Sequence, residues 1–297
     1  MEGLLDFLTN PYYIQVLNIT GVYLIAALGL NLITGFTGQF SFGHAAFMSI
    51  GAYTSTLMTL HWPTPFILNL LLGGVMAAIF GILLGFPSMR LTGDYLGITT
   101  LGFGEIVRVI FINTKITGGA HGLAGIPRES NFALIYIVVI LSVCSLYFIK
   151  NSRFGRALVA IREDEIAAEA MGIDTLFYKV KAFAIGTFFA GISGALYAHL
   201  MQYISPSDFG FSRSFDILNF VVIGGLGSIP GTILGTVVLS LAPEFLRFVQ
   251  EYRMLIYGAL MVLMMTFRPR GLLGGVDLYR VWKNFCHRWR EKTAAAG

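Results

Sequence analysis

Between two apolar stretches the chain reads Asn31-Leu-Ile-Thr-Gly-Phe-Thr-Gly-Gln-Phe-Ser-Phe-Gly-His-Ala-Ala-Phe47. Groups that donate and accept hydrogen bonds alternate there with glycines: Asn31, Thr34, Gly35, Thr37, Gly38, Gln39, Ser41, Gly43 and His44. No nucleophile stands beside a base, so the chemistry on offer is not bond cleavage. It is the handling of a polar solute, because a helix broken at this point frees backbone amides and carbonyls to meet one. The competing reading is a tight turn in which Ser41 and His44 bond between helices. A second glycine-rich stretch, Gly224-Gly-Leu-Gly-Ser-Ile-Pro-Gly231, interrupts the apolar run 216–243. Glycine tolerates positive φ and proline removes a helix hydrogen bond, so a break is expected there as well. Gly227 and Ser228 join Asn31, Thr34, Gly38, Ser41, Gly43 and His44 as candidates for lining a path.

A different set of residues suits docking. Asp164 and Asp174 can each cap a helix, and Gly172 can end one in the left-handed conformation. Between them Glu165-Ile-Ala-Ala-Glu-Ala-Met171 forms a short stiff helix with small residues and two carboxylates. An ordinary solvated loop is the competing reading. Asp94, Glu105 and Arg108 lie in or beside another apolar run, where ionisable groups are costly. Glu105 and Arg108 are three apart and can pair on a helix face, which favours a structural ion pair over proton or ion coupling. Trp282, Phe285 and Trp289 share a helical face in a basic tail and suit a helix lying on the inner membrane surface, with a frayed tail as the competing reading.

These residues sit in a chain of 297 residues that is 56% hydrophobic and only 12% charged, half the roughly 25% of soluble domains. The composition fits a polytopic membrane protein. The net charge of +4 does not point to nucleic acid, because 13 of the 20 Lys and Arg cluster in 150–181 and 268–292, beside apolar runs. No Lys or Arg precedes Arg90, which counts against a secretory signal, whose start is charged. Cys144 and Cys286 are placed too differently to pair. Metal-ligand spacings, a GxxxxGK[ST] phosphate loop and a GxSxG elbow are all missing, so no metal, cofactor or catalytic residue is expected and ATP chemistry must belong to another chain.

Runs long enough to cross a bilayer occur at 12–34, 40–60, 65–86, 93–112, 131–149, 179–201 and 251–267. The expected fold is all-α: one transmembrane domain over 1–297 with about eight transmembrane helices, plus a broken or re-entrant segment near 216–243. The polar stretch 150–178 and the basic tail 268–297 belong in the cytoplasm by the positive-inside rule. Counting crossings then puts 35–39 and 87–92 inside, 61–64 and 113–130 outside, and the N-terminus outside. Parity forces 216–243 to begin and end outside, as a re-entrant segment or two short crossings. Two small-residue ladders, Gly227/Gly231/Gly235 and Gly81/Gly85, are read as packing faces.

The segments Gly29 to Tyr53, Arg156 to Ile173, Gly224 to Gly235 and Tyr257 to Leu272, in this order, resemble the M-type permease subunits of branched-chain amino acid ABC importers. The resemblance implies a heterodimer with a second permease, two cytoplasmic ATP-binding subunits, an extracytoplasmic solute-binding protein and a bacterial inner-membrane location. It also implies that the loop with Arg162, Glu165, Glu169 and Gly172 couples to the ATPases, and that an amino acid is the solute. Permeases for urea or short-chain amides look similar and remain an alternative. A stand-alone ion-coupled transporter or channel using Glu105 and Arg108 is a more distant one.

Overall fold

A computed structural model describes residues 11–245 apart from 63, 90 and 92, together with 258, 259, 262, 266, 267 and 271–273. The span expected at 251–267 falls mostly outside the described residues. So do the tail beyond Leu273, its Trp282, Phe285 and Trp289, and the side chain of Asp94.

The apolar runs become helices because lipid offers no partner to backbone N–H and C=O groups, which a helix satisfies internally. They are α1 (Pro11–Leu30, continued by a π-helical turn Asn31–Phe36), α2 (His44–His61), α3 (Phe66–Ser88), α4 (Asp94–Asn113) and α5 (Phe132–Asn151). The polar stretch forms α6 (Arg153–Glu163) and α7 (Glu165–Ala170), and α8 (Thr175–Met201) follows. The interrupted run forms α9 (Phe211–Gly224) and α10 (Ile229–Phe245). Among the described residues five helices are long and apolar enough to span: α1 with its π turn, α3, α4, α5 and α8. The only strands among them are β1 (Leu123–Ala124) and β2 (Tyr203–Ile204), antiparallel with Leu123 opposite Ile204. The fold is all-α and polytopic.

Burial separates the helices into an inner and an outer set. The spans of α1 and α8 are 78% buried, whereas those of α4 and α5 are 22% buried. α8 is the central post, and glycine lets its neighbours reach it. A Cβ on Gly186 would lie 2.6 Å from Gly29 O of α1. One on Gly191 would lie 2.6 Å from Gly73 O of α3, and Gly194 faces the Met48 backbone of α2. Small residues allow this approach, and dispersion between backbones then holds helices that no hydrophobic effect drives together in lipid. Of the expected ladders, Gly81 meets Thr187 closely while Gly85 makes only ordinary contacts. Gly231 and Gly235 pack on Gly224, but Gly227 belongs to the turn before α10 and leaves that ladder.

The connections gather at two ends. At one, Thr37 to Phe40, Leu91, Gly93, Ile161 to Glu165 and Lys179 line a common pocket. At the other, Asn69 Nδ2 donates to Thr59 Oγ1 (2.9 Å), and Thr64 Oγ1 donates to Asn69 Oδ1 (2.7 Å). His199 Nδ1–H serves Ala195 O, so its Nε2 accepts from Thr59 Oγ1 at 3.1 Å. β1, β2 and the Ser130 hydroxyl bonded to Leu196 O close this end. The grouping follows the alternation of sides read from the sequence.

The interrupted run starts earlier than expected, at Phe211, because Gly210 and the capped 3-10 turn Pro206–Phe209 deliver the chain straight into a helix. α9 has 14 residues and α10 has 17. At about 1.5 Å per residue neither matches the roughly 30 Å hydrocarbon core. They pack as a hairpin with its break at Gly225 to Ser228.

Candidate functional site

The π-helical turn at Asn31–Phe36 widens α1 by one residue, a rare distortion that clusters at functional positions. It brings Asn31 Oδ1 to the backbone N–H of Gly227, 2.9 Å away, at the tip of the α9–α10 hairpin. Gly227 holds φ +78°, which a side chain would strain, and a Cβ there would come within 3.0 Å of Gly35 O. Ser228 caps α10 by accepting from Gly231 N at 3.2 Å. The last carbonyls of α9 are taken by a segment from much further along the chain, with Leu272 N on Ile223 O (2.8 Å) and Leu273 N on Gly224 O (3.2 Å). A helix end in a membrane needs such partners.

Arg162, from the last turn of α6, reaches into this junction. Its Nη1 donates to Gly35 O over 2.6 Å. A Cβ on Gly227 would lie 2.8 Å from the same nitrogen, and one on Gly38, where φ is +73°, 3.2 Å from Arg162 Cγ. Gly35 and Gly227 therefore flank the guanidinium, and Gly38 its methylene stem. Asn31, Gly38, Gly227 and Ser228 of the path set thus meet Arg162 of the coupling set in one place, a union that spacing did not reveal.

The other path candidates lie further into the helices. After Gly38 the chain runs without helix to His44, where α2 begins. His44 is fully buried, and its Nε2–H donates to Ala26 O at 3.0 Å. That bond fixes the tautomer and leaves Nδ1 as an acceptor with no protein partner. Gly43 abuts the Thr100 backbone, Phe42 N bonds Thr100 Oγ1 (3.0 Å), and Ala45 N bonds Ser214 Oγ (3.0 Å), so the starts of α2 and α9 meet beside α4. Thr34 Oγ1, Ser41 Oγ and both amide atoms of Gln39 are buried and unpaired within the protein. Buried polar atoms are nearly always satisfied. Here several unpaired ones stand together beside two helix starts.

The loop is built as its sequence suggests. Asp164 Oδ1 accepts from Ala167 N and Asp174 Oδ1 from Phe177 N, both at 3.0 Å, and Gly172 closes α7 with φ +82°. Glu169 points to solvent. Glu165 instead meets Lys179 Nζ of α8 at 2.5 Å, and the Lys179 side chain is only 7% exposed. Sequence reading missed this pair; its signal is a lysine four residues inside an apolar helix. Glu105 and Arg108 do pair, at 2.8 Å. Arg213 and Asp216 were also overlooked, although opposite charges three apart at the head of an apolar run mark them.

Comparison with known proteins shows the family of the chain. Residues 12–265 match the family described as branched-chain amino acid transport system, permease component. The high-affinity branched-chain amino acid transport system permease protein LivM of Escherichia coli K12 is 39% identical over 90% of this chain and 71% of its own. A probable LivM of Methanocaldococcus jannaschii is 27% identical over 85% of this chain and 90% of its own. LivH of E. coli K12 is 27% identical over 87% and 93%. No solved structure matches. The chain belongs to the permease-component family of branched-chain amino acid transport systems.

Proposed function

We propose that this chain is the membrane-spanning permease subunit of an ATP-driven importer for leucine, isoleucine and valine. It works by alternating access, pairs with a second permease, and takes its energy from two cytoplasmic ATPase subunits. An extracytoplasmic solute-binding protein delivers the amino acid. In this reading the N-terminus lies outside, while the α6–α7 loop and the tail lie in the cytoplasm. The chain itself is not an enzyme.

The observation that carries the reading is the Arg162 contact, in which the loop that would meet an ATPase bonds the π turn of α1, which Asn31 in turn ties to the α9–α10 tip. A displacement of the loop is thereby transmitted to the segments proposed as path lining. The surface of α7 supports docking, since Ile166 is 82% exposed and Met171, just past its end, 83% exposed on a stiff capped element. In the assembled transporter, lysine at Glu165 and Glu169 should leave ATP hydrolysis running while uptake falls. Unchanged uptake in that variant would remove the coupling assignment. Binding of leucine rather than urea or amides to the cognate solute-binding protein separates the substrate readings.

A further inference from the structure

Away from the Arg162 junction, a cavity of about 310 Å³ opens between the first half of α1, the start of α9 and the end of α10. Its size lies at the lower end of small-molecule pockets, roughly 300–1,000 Å³, which suits a solute as small as an amino acid. Ile19 and Leu239 supply apolar wall, and Arg213 and Asp216 both face the space. The two charges form only a loose ion pair: Arg213 Nη1 stands 3.9 Å from Asp216 Oδ2, beyond hydrogen-bond range, while Arg213 Nε donates to Asp208 O at 3.4 Å. The guanidinium is held in place by the Tyr23 ring, 5.0 Å away at its centroid. Ser240 Oγ is a further buried polar atom on the lining without a protein partner.

We infer that this cavity is a recognition site for a zwitterionic α-amino acid. The forked guanidinium of Arg213 takes the carboxylate, Asp216 takes the ammonium, and the apolar wall takes a branched side chain. A fork of N–H donors matches a carboxylate in two parallel bonds. One cation and one anion side by side select a molecule carrying both charged groups on one carbon. An amine or a carboxylic acid alone answers only one of the two partly exposed charges and so forms one charge-assisted contact instead of two. The inference rests on the importer reading, since it takes the solute to be an amino acid.

The test uses the full chain assembled with its partner subunits in membranes, with Cys144→Ser and Cys286→Ser as background and Val16→Cys on the cavity lining as a reporter. Leucine should slow modification of the reporter by a small thiol reagent at least five-fold. Isocaproate and isoamylamine, each lacking one charge, should leave the rate unchanged. Arg213→Gln and Asp216→Asn should each raise the half-protecting leucine concentration by roughly ten-fold or more, as loss of a charge-assisted bond does. Arg213→Lys should fall between. Leu239→Cys provides a second reporter if the first disturbs folding. Leucine uptake is followed in the same membranes. Uptake without protection at either reporter, or equal protection by the single-charge analogues, overturns the site and leaves the importer reading standing. Absence of leucine uptake by the unmutated complex overturns both.

Discussion

Replacing Arg162 by Met keeps the methylene stem that packs near Gly38 and removes the guanidinium that holds Gly35 O. A hydrogen bond from a charged donor contributes about 1.5–3 kcal/mol. The bond is short at 2.6 Å, but the side chain is exposed along much of its length, so the low end applies. About 1.5 kcal/mol corresponds to a roughly ten-fold shift in the equilibrium that opens the junction. Amide hydrogen exchange on the full chain in nanodiscs reads this locally. Peptides covering 31–40 should exchange about ten-fold faster in the variant, because Gly35 O loses its donor, and peptides covering 223–232 should also exchange faster, because Asn31 ties Gly227 N to the loosened turn. Peptides from α3 should not change. Unaltered exchange at 31–40 would refute the claim that Arg162 ties the loop to the π turn. Acceleration throughout the chain would refute its local character.

Glu165→Gln removes the carboxylate that meets the buried Lys179 and should destabilise the chain by about 2 kcal/mol, less than a fully buried pair because Glu165 is 40% exposed. Adding Lys179→Met should restore most of the thermal midpoint in detergent; a further drop would contradict the pairing. Gly194→Ala sets a Cβ 2.9 Å from Met48 Cα and should cost about 1–3 kcal/mol as α2 is pushed from α8. Gly102→Ala has open space around its Cβ within α4 and should stabilise by up to about 1 kcal/mol, so the two alanines should move the midpoint in opposite directions. Asp164→Ala should cost about 1 kcal/mol, visible as faster exchange confined to α7.

What the sequence disclosed was local. The caps at Asp164 and Asp174, the left-handed Gly172, the break near Gly227 and the Glu105–Arg108 pair each depend on neighbours a few residues away. Residue type and spacing therefore suffice to find them. The decisive contacts are remote: Asn31 meets Gly227 across 196 positions and Arg162 meets Gly35 across 127. Nothing in periodicity says which broken segment faces which, so the path and coupling residues read as separate sets. The exchange of Gly227 for Gly224 as the close neighbour of Gly231 has the same origin, since a four-residue ladder cannot tell a helix face from a turn. Arg213 and Asp216 escaped because they stand at the edge of the apolar run, Asp216 as its first residue, rather than interrupting it.

The most direct measurement of the importer claim is radiolabelled leucine uptake into proteoliposomes containing this chain, its second permease and the ATPase subunits, with binding protein on the opposite face from ATP. Leucine should accumulate only when ATP, the ATPases and the binding protein are all present, and Arg162→Met should lower the leucine carried per ATP hydrolysed. Accumulation by this chain alone, driven by an ion gradient without ATPase, would contradict it.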